Sequence, residues 1–532
     1  MARVVGVEWW WLLAAALAAA LSSWVFDAAV RYAWRPRAVA RRLRAQGVRG
    51  PARSSFFHGN LGDVRRLRAA GAGVTLDVGD HDFTPIAQPQ FRKWIPLYGR
   101  VFVYWFGATP DVCVADLGVA KQVLADRTGL FPKHRINANL MRLLGEGLVM
   151  ANGDDWQRHK RVVHPAFNID KLKMMTATMA DCALAMVSAW EARLEAEQGK
   201  GNGKREEVEI ELSAQFEELT ADVISHTAFG SSYREGKQVF EALKELQFIT
   251  FSTLFDVQIP MFRYVPTRKN RRVWRLDREV RATLMRIIDT RLAAKDKEGY
   301  GNDLLGLMLE ACLSAPERDG DRRQLLLSMD EIVDECKTFF FAGQETTSHL
   351  LTWAMFLLST HPDWQDKLRD EVVRECGGRR VPTHDMLNKL KMMNLFLLET
   401  LRLYSPVPLI RRWTRSPVRL GDITVPEDTL VTIPIATIHR DREVWGDDAG
   451  EFRPERFDGG GKSLSALLAF SMGPRACIGQ NFAMVETKVT VAAILQRFRL
   501  ALPPEYVHAP TDVITLRPKY GLPMIISSVI EA

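Results

Sequence analysis

A chain of 532 residues and 60.2 kDa, 47% hydrophobic and 25% charged, is long enough for one large core or two to three ordinary domains. Its net charge of +7 and pI near 9.0 suit anionic lipid or an acidic partner protein. No Lys/Arg stripe interleaved with aromatics follows the N-terminal segment, which argues against a nucleic-acid partner, and six cysteines without close pairing exclude a disulfide framework and a Cys-pair zinc site.

The first element is "WWWLLAAALAAALSSWVF", residues 9 to 26, an uncharged apolar run. At ~1.5 Å per residue it reaches roughly 27 Å, enough to cross a hydrocarbon core. Tryptophans at both ends suit the two membrane interfaces. Arg31, Arg35, Arg37, Arg41, Arg42, Arg44, Arg49 and Arg53 follow, and no acidic residue stands between Asp27 and Asp63. The positive-inside rule then places the bulk of the chain in the cytosol and the short N-terminus across the membrane. A cleaved signal peptide is the competing reading, with "AAALSS" as its small-residue site. Such signals carry their positive charge ahead of the apolar run, where this chain has only Arg3, so an anchor is preferred. Residues 1–30 therefore read as a single-pass anchor, 31–53 as a basic linker ending at "RGP", and 54–532 as the functional domain.

Within that domain "RVFVYWFG" (100 to 107) and "VCVAD" (112 to 116) predict strands. Three- and four-residue apolar spacing predicts mostly helix over 118 to 405, interrupted by polar loops at 197 to 207, 295 to 303 and 314 to 323. One long helix is expected over 329 to 360, apolar on every face and hence buried. After Pro406 come short strand-like pieces in "RLGDITVPEDTLVTIPI", then helix again past Cys477. The expected class is mainly α with a minor β-sheet region. "GGGKS" (459 to 463) is a flexible loop rather than a phosphate loop, because Arg456 stands where the first glycine is needed.

Five of the cysteines, Cys113, Cys182, Cys312, Cys336 and Cys376, read as buried thiols of a reducing compartment. The sixth sits in "FSMGPRACIG", residues 470 to 479. A metal-binding cysteine works as thiolate and needs help to stay ionised. Helix starting just after Cys477 would present its free N–H groups to the sulfur. Gly473 and Gly479 permit turns and the close approach of something flat and bulky. Arg475 offers a permanent charge suited to a carboxylate. A thiolate with a carboxylate-binding arginine and no other ligand nearby fits haem held by an axial cysteine. The bland alternative is a helix N-terminus with a structural cysteine.

Phe470, Gly473, Arg475, Cys477 and Gly479 fill every position of Phe-x-x-Gly-x-Arg-x-Cys-x-Gly, which resembles the haem-thiolate signature of the cytochrome P-450 monooxygenases. "ETLR" (399 to 402) resembles the family's Glu-x-x-Arg helix, with Glu399 and Arg402 one turn apart. Arg456 of "PERF" would complete the family's ion-pair cluster, and "AGQETT" (342 to 347) resembles its oxygen-activation segment. "DECKTFFFAGQETTSHLLTW" and "MVETKV" look most like plant microsomal members related to secologanin synthase and the cytokinin and fatty-acid hydroxylases. The resemblance implies the P-450 fold behind one transmembrane helix, haem b (iron protoporphyrin IX) on Cys477, and attachment to the endoplasmic reticulum. It also implies electrons from NADPH through NADPH–cytochrome P-450 reductase, and a lipophilic small-molecule substrate.

Glu345 and Thr346 are costly in a buried helix unless they have partners or a task. Thr346 bonding back to a carbonyl four residues earlier would be the task-free explanation. The implied reaction splits dioxygen with two electrons and two protons. A hydroxyl beside the oxygen with a carboxylate behind it can relay those protons. Thr346 is therefore expected to hydrogen-bond the oxygen and Glu345 to deliver protons, next to a small Ala342-Gly343 pair that admits a ligand. Segments 136 to 147 and 247 to 262 fall where family members line the substrate pocket.

"DDWQRHKR" (154 to 161) resembles the segment whose Trp, then Arg four residues later, hold the haem propionates. Trp156 matches, but the fourth residue on is Lys160, with Arg161 next. Neighbours on a helix point about 100° apart, so Arg161 cannot simply take over. Lys160 is preferred as the ligand, with Arg475 and, by resemblance, Arg412; a shifted register that turns Arg161 inward is the alternative. Two other functions stay open: a haem-thiolate isomerase or dehydratase working without reductase, and a non-enzymatic haem sensor.

Overall fold

A computed structural model describes residues 2–133, 138–198, 207–230, 233–252, 264–313 and 326–529. The chain begins with α1 (Ala2–Ala29), which passes through a π-helical turn, Val30–Trp34, into α2 (Arg35–Ala45). This continuous helix is long and apolar enough to cross a membrane; its most apolar window averages a hydropathy of 1.7 and has 0% buried against the rest of the protein. Trp9, Trp10, Trp11, Trp24 and Phe26 are all exposed, as expected of lipid-facing side chains.

The stretch expected to be a basic linker behaves otherwise. In α2 and just beyond it, Val39, Leu43 and Val48 are buried against Val103, Val112 and Val431. Gln46 bonds both ways with the Thr424 backbone, at 3.0 and 2.6 Å, and Arg35 pairs with Asp428. The arginines sit on the exposed side of an amphipathic helix whose apolar side is docked on the domain. Composition showed the charge but hid the packing.

The helical body is built around α3 (Gly153–Val163), α4 (Ile169–Gln198), α5 (Leu212–Phe229), α6 (Tyr233–Ser252) and the central α7 (Met329–Thr360). Ser328 and Glu331 start α7 with a reciprocal capping box. Pro362 stops it by forcing His361 out of helical geometry, to φ −129° and ψ 77°. Between Ile332 and Leu358 nearly every residue is buried, and each large apolar side chain there contributes about 1.5–3 kcal/mol. α5 packs along α7 closely enough that a Cβ on Gly343 would lie 2.8 Å from Ile224 Cδ1. The sequence had assigned the small Ala342-Gly343 pair to ligand entry; at Gly343 the missing side chain serves helix contact.

α8 (Lys391–Leu403) carries Glu399 and Arg402, both fully buried, and α9 (Gln480–Leu495) packs on α4. Arg402 Nε and Nη2 each donate to Glu399 at 2.7 Å, and its remaining donors reach the carbonyls of His439, Ala449 and Glu451. Arg456 Nε adds a bond to Glu399 Oε1 at 3.1 Å. This cluster ties α8 to the segment leading to Cys477.

Sheet structure is minor. β1 (Val101–Phe106) pairs antiparallel with β2 (Thr109–Val114), Val101 opposite Val114. β3 (Ile410–Trp413) and β4 (Leu430–Ile433) complete the sheet in the order β1-β2-β4-β3, with β2 and β4 parallel. A second sheet joins Glu207–Glu211, Pro523–Ser528 and Phe498–Ala501. The loops expected at 197 to 207 and 314 to 323 lie largely outside the described residues.

Candidate haem site

The segment before α9 turns sharply around Cys477. Gly473 has φ +71°, and a Cβ there would fall 2.4 Å from the Leu124 carbonyl, so both the turn and the close approach require glycine. The Cys477 N–H donates to the Phe470 carbonyl at 2.9 Å, closing the loop on itself. Gly479 has φ −90°, and a Cβ there would meet only Phe167, at 3.7 Å; the chain itself makes no demand for glycine at this position.

Cys477 alone among the six cysteines is exposed. Desolvation nevertheless pushes its thiol pKa up, with the Gly479 N–H opposing through a hydrogen bond to the sulfur. An accessible sulfur that is also desolvated faces a cleft inside the protein rather than open solvent. The helix end expected to keep the thiolate ionised is outweighed by burial; a metal ion on the sulfur would reverse that balance.

Around the loop stands a group of cations. Arg412, on β3, is 3% exposed; its Nη1 reaches only the Arg411 carbonyl, and burial lowers its pKa to about 10. Arg475 stacks over the Trp156 ring at 4.4 Å and donates from Nη2 to Asn152 Oδ1 at 3.1 Å, while its buried Nη1 has no hydrogen-bond partner among the described residues. Burial and the Arg412 charge bring its pKa to about 10. Lys133 is pushed well below the ordinary lysine value by burial and by those same two arginines. Asn152 holds Lys133 in place, accepting its N–H at 2.8 Å and donating to its carbonyl at 3.0 Å. Lys160, on α3, donates to the Pro474 carbonyl at 3.1 Å with its ammonium 4.9 Å from the Trp156 ring centroid. Arg161 is exposed. Among the described residues, none of Lys133, Lys160, Arg412 and Arg475 has a carboxylate partner.

Desolvated cations without counter-charges are expensive, and their grouping beside an accessible thiol defines a receptor for an anionic, metal-bearing ligand. The two carboxylates of haem b answer that charge, and its iron answers the sulfur. Lys133 and Asn152 were not anticipated from sequence; "FPKHR" carries no pattern that marks a ligand, and only the fold brings it to Arg412 and Arg475.

On α7 the run of buried residues is interrupted in mid-helix only at Phe341, Ala342, Gly343 and Thr346. The Thr346 hydroxyl donates to the Ala342 carbonyl at 2.7 Å, the local bond that the sequence had offered as the task-free explanation. Glu345 points elsewhere. Its Oε1 accepts from the Thr515 hydroxyl at 2.7 Å and lies 4.0 Å from His349 Nδ1. Burial pushes its carboxyl up, but His349, Gln247, Thr515 and Arg517 outweigh that and hold it below the usual glutamate value. Burial in turn lowers the His349 pKa, with Glu345 pulling against it. Among the described residues no hydrogen bond joins Glu345 to Thr346.

Glu345 lines a cleft of about 320 Å³ between α6, α7 and residues 513 to 517. Phe240, Phe248, Phe251, Phe340 and Phe341 form its apolar wall, with Gln247 and Arg517 as polar contacts. Of the substrate-lining segments expected from sequence, Gln247, Phe248, Phe251 and Ser252 stand here. Residues 253 to 262, and 136 to 137 of the other segment, lie outside the described residues.

A mainly helical domain that offers one accessible cysteine among cations without carboxylate partners fits a haem-thiolate protein. The Cytochrome P450 family model matches residues 85–522, so the chain belongs to the cytochrome P450 family. It is 42% identical over 508 residues to cytochrome P450 709B1 of Arabidopsis thaliana, covering 94% of this chain and 95% of that one. Cytochrome P450 734A6 of Oryza sativa subsp. japonica is 40% identical, with 92% of each chain covered. Cytochrome P450 CYP72A616 of Paris polyphylla is 39% identical, covering 96% of this chain and 97% of the relative. The protein is a haem-thiolate monooxygenase whose cofactor is haem b on a cysteine thiolate, and its N-terminal apolar helix fits a membrane anchor.

Proposed function

We propose that the chain inserts one oxygen atom from O2 into a lipophilic small molecule, a fatty acid or an isoprenoid-derived hormone or metabolite. The accessible Cys477 beside Arg412, Arg475 and Lys160 carries the proposal. Cys477 would hold the haem iron through its thiolate. Arg412, Arg475 and Lys160 would hold the haem carboxylates, with Trp156 as the plate on which Arg475 and Lys160 rest. Phe470, Gly473 and Gly479 shape the loop so that a flat ring can approach the sulfur. When bound, haem activates dioxygen, and the thiolate pushes electron density that favours O–O cleavage.

The chain's own residues bind the substrate and move the protons. The phenylalanine wall of the cleft desolvates an apolar substrate. The Thr346 hydroxyl, now donated to the Ala342 carbonyl, is the group that would be freed to hand on a proton during oxygen activation. Glu345, ionised and open to the cleft, collects protons from that side and supplies them through water, since it makes no direct bond to Thr346.

Electrons come from NADPH through a flavoprotein NADPH–cytochrome P-450 reductase in the endoplasmic reticulum membrane. Residues 1–30 anchor the chain and the arginines of 31–53 hold the domain on the cytosolic side. The test is oxygen uptake by yeast microsomes containing the protein, with added reductase and NADPH, across a panel of fatty acids and isoprenoids analysed by mass spectrometry. Stoichiometric NADPH oxidation and hydroxylated product are expected. Product formed from a lipid peroxide without NADPH would identify an isomerase or dehydratase, and haem binding with no turnover of any lipophile would favour a sensor.

A further inference from the structure

Away from the haem site, α4 and α5 bring three metal-ligating side chains of different chemistry together. Asp222 and His226 stand four residues apart on α5 and share a face; Cys182 comes from α4. Cys182 Sγ lies 3.4 Å from Asp222 Oδ2, and His226 Nε2 lies 3.7 Å from Asp222 Oδ1. One ligand atom from each residue can be chosen so that all three fall within 4.8 Å of one another. Zn–S near 2.3 Å with Zn–N and Zn–O near 2.0–2.1 Å puts neighbouring atoms of a tetrahedral zinc site about 3.3–3.6 Å apart. The Cys182–Asp222 separation already stands at that spacing, the His226–Asp222 separation is slightly wider and runs to the other carboxylate oxygen, and with a single Asp222 oxygen chosen no separation needs to close by more than roughly 1 Å.

A second observation concerns Glu486 on α9, the helix that packs against α4. It is 1% exposed, and its Oε1 has no hydrogen-bond partner among the described residues. Its charge acts on the Cys182 thiol, so it stands nearby. A buried carboxyl with an unsatisfied oxygen near the Cys182 thiol is a costly arrangement, and burial favours its protonated form until a cation stands close by. Access is available too: Cys182 is buried, but Asp222 and His226 have side chains 33% and 35% exposed.

We propose that Cys182, Asp222 and His226 bind a divalent transition-metal ion of zinc's class, clamping α4 to α5. Thiolate and imidazole select zinc over magnesium or calcium, and the carboxylate balances the remaining charge. Metal entry displaces the thiol proton to solvent and breaks the S–H···O contact between Cys182 and Asp222, with no change of oxidation state. The ordinary alternative is a thiol donating to an aspartate that also faces a histidine, with no affinity for metal.

The experiment uses untagged full-length holoenzyme, cleared of metal with a chelator and titrated with Zn2+ by calorimetry. With haem already on Cys477, a zinc–sulfur distance near 2.3 Å in zinc X-ray absorption reports a different cysteine. The expected result is one equivalent of zinc with one sulfur neighbour and a raised thermal unfolding midpoint, which Mg2+ does not reproduce. Loss of an outer-shell partner already weakens metal sites about 10–100-fold, so Cys182→Ser and His226→Ala should each weaken binding at least tenfold. The haem spectrum should be unchanged in both variants. If Cys182→Ser does not fold, His226→Ala, altered at a partly exposed ring, decides the matter alone. No bound equivalent, a zinc shell of oxygen and nitrogen only, or affinity indifferent to His226→Ala would overturn the proposal.

Discussion

The Lys160 ammonium donates to the Pro474 carbonyl at 3.1 Å, bracing the loop that carries Cys477 from the helix that carries Trp156. Arg161, next on the same helix, is exposed. Haem retention on mild heating, followed by absorbance, should therefore fall more for Lys160→Ala than for Arg161→Ala. Lys160→Arg should be harmless or stabilising, because a guanidinium reaches carbonyl and carboxylate together. The reverse order of the two alanine variants would give the propionate to Arg161.

Thr346 holds the Ala342 carbonyl at 2.7 Å, so its hydroxyl is satisfied locally and must change partner to act. If it steers a proton, Thr346→Ala keeps haem and substrate binding but sends electrons from NADPH into hydrogen peroxide. General acid–base groups contribute about 10²–10⁴-fold, so coupling of NADPH to product should drop at least tenfold. Peroxide yield per NADPH is the measurement. Unchanged coupling would leave Thr346 with its bond to Ala342 and nothing more.

The buried Glu399 accepts from Arg402 twice and from Arg456 once. Glu399→Gln leaves Arg402 under protein with no counter-charge, while Arg456 keeps only Asp448. Breaking a buried pair in this way costs about 3–5 kcal/mol, which should appear as a large drop in thermal midpoint and in haem content. A loss under about 1 kcal/mol would mean that the His439, Ala449 and Glu451 carbonyls suffice for Arg402.

What could be read in advance was local. The apolar run over 329 to 360 marks α7 as one long buried helix, and the spacing from Phe470 to Gly479 marks the cysteine loop. What could not be read depends on contacts between distant segments. Lys133 becomes a site residue only because Asn152 pins it beside Arg475, and Glu345 faces Thr515 and His349 because residues 513 to 517 fold back onto α7. Gly343 illustrates the same limit: a small residue signals close approach without saying whether a ligand or Ile224 approaches.

Three histidines set a pH dependence. Burial is the main cause that lowers His81 and His439 to about 3 and His508 to about 4, and Tyr404 bridges His81 and His508 at 3.0 and 3.2 Å. Unfolded, each titrates near 6.5. Their contribution is complete above about pH 6.5 and is lost as pH falls toward 4 and then 3, because only the unfolded chain takes up protons in that window. By about pH 5 each withdraws roughly 2 kcal/mol. Burial raises the Glu486 carboxyl, which acts in the opposite sense, so the comparison is made within one variant pair. The thermal midpoint should fall between about pH 7.5 and about pH 5, and fall less in His508→Gln. Equal slopes would show that His508 is charged in the folded protein.

The anchor and the domain part company earlier than composition suggests. α2 follows the π-helical turn at Val30–Trp34 and docks through Val39 and Leu43, with Val48 completing the contact and Gln46 bonded to Thr424. Removing residues 2–30 takes away only the exposed apolar helix and should leave a folded haem domain with an unchanged thermal midpoint. Exposed Trp34, Phe56 and Phe57 beside the arginines would keep part of that protein on anionic vesicles. Removing 2–49 also strips Val39, Leu43 and Val48 from the core; each buried apolar side chain is worth about 1.5–3 kcal/mol, so this truncation should lose several kcal/mol of stability and much of its haem. Haem content per protein and the thermal midpoint of the two truncations decide the boundary. If the 2–30 deletion alone abolishes haem incorporation, α1 is part of the fold; if the 2–49 deletion is as stable as the full chain, α2 is a linker after all.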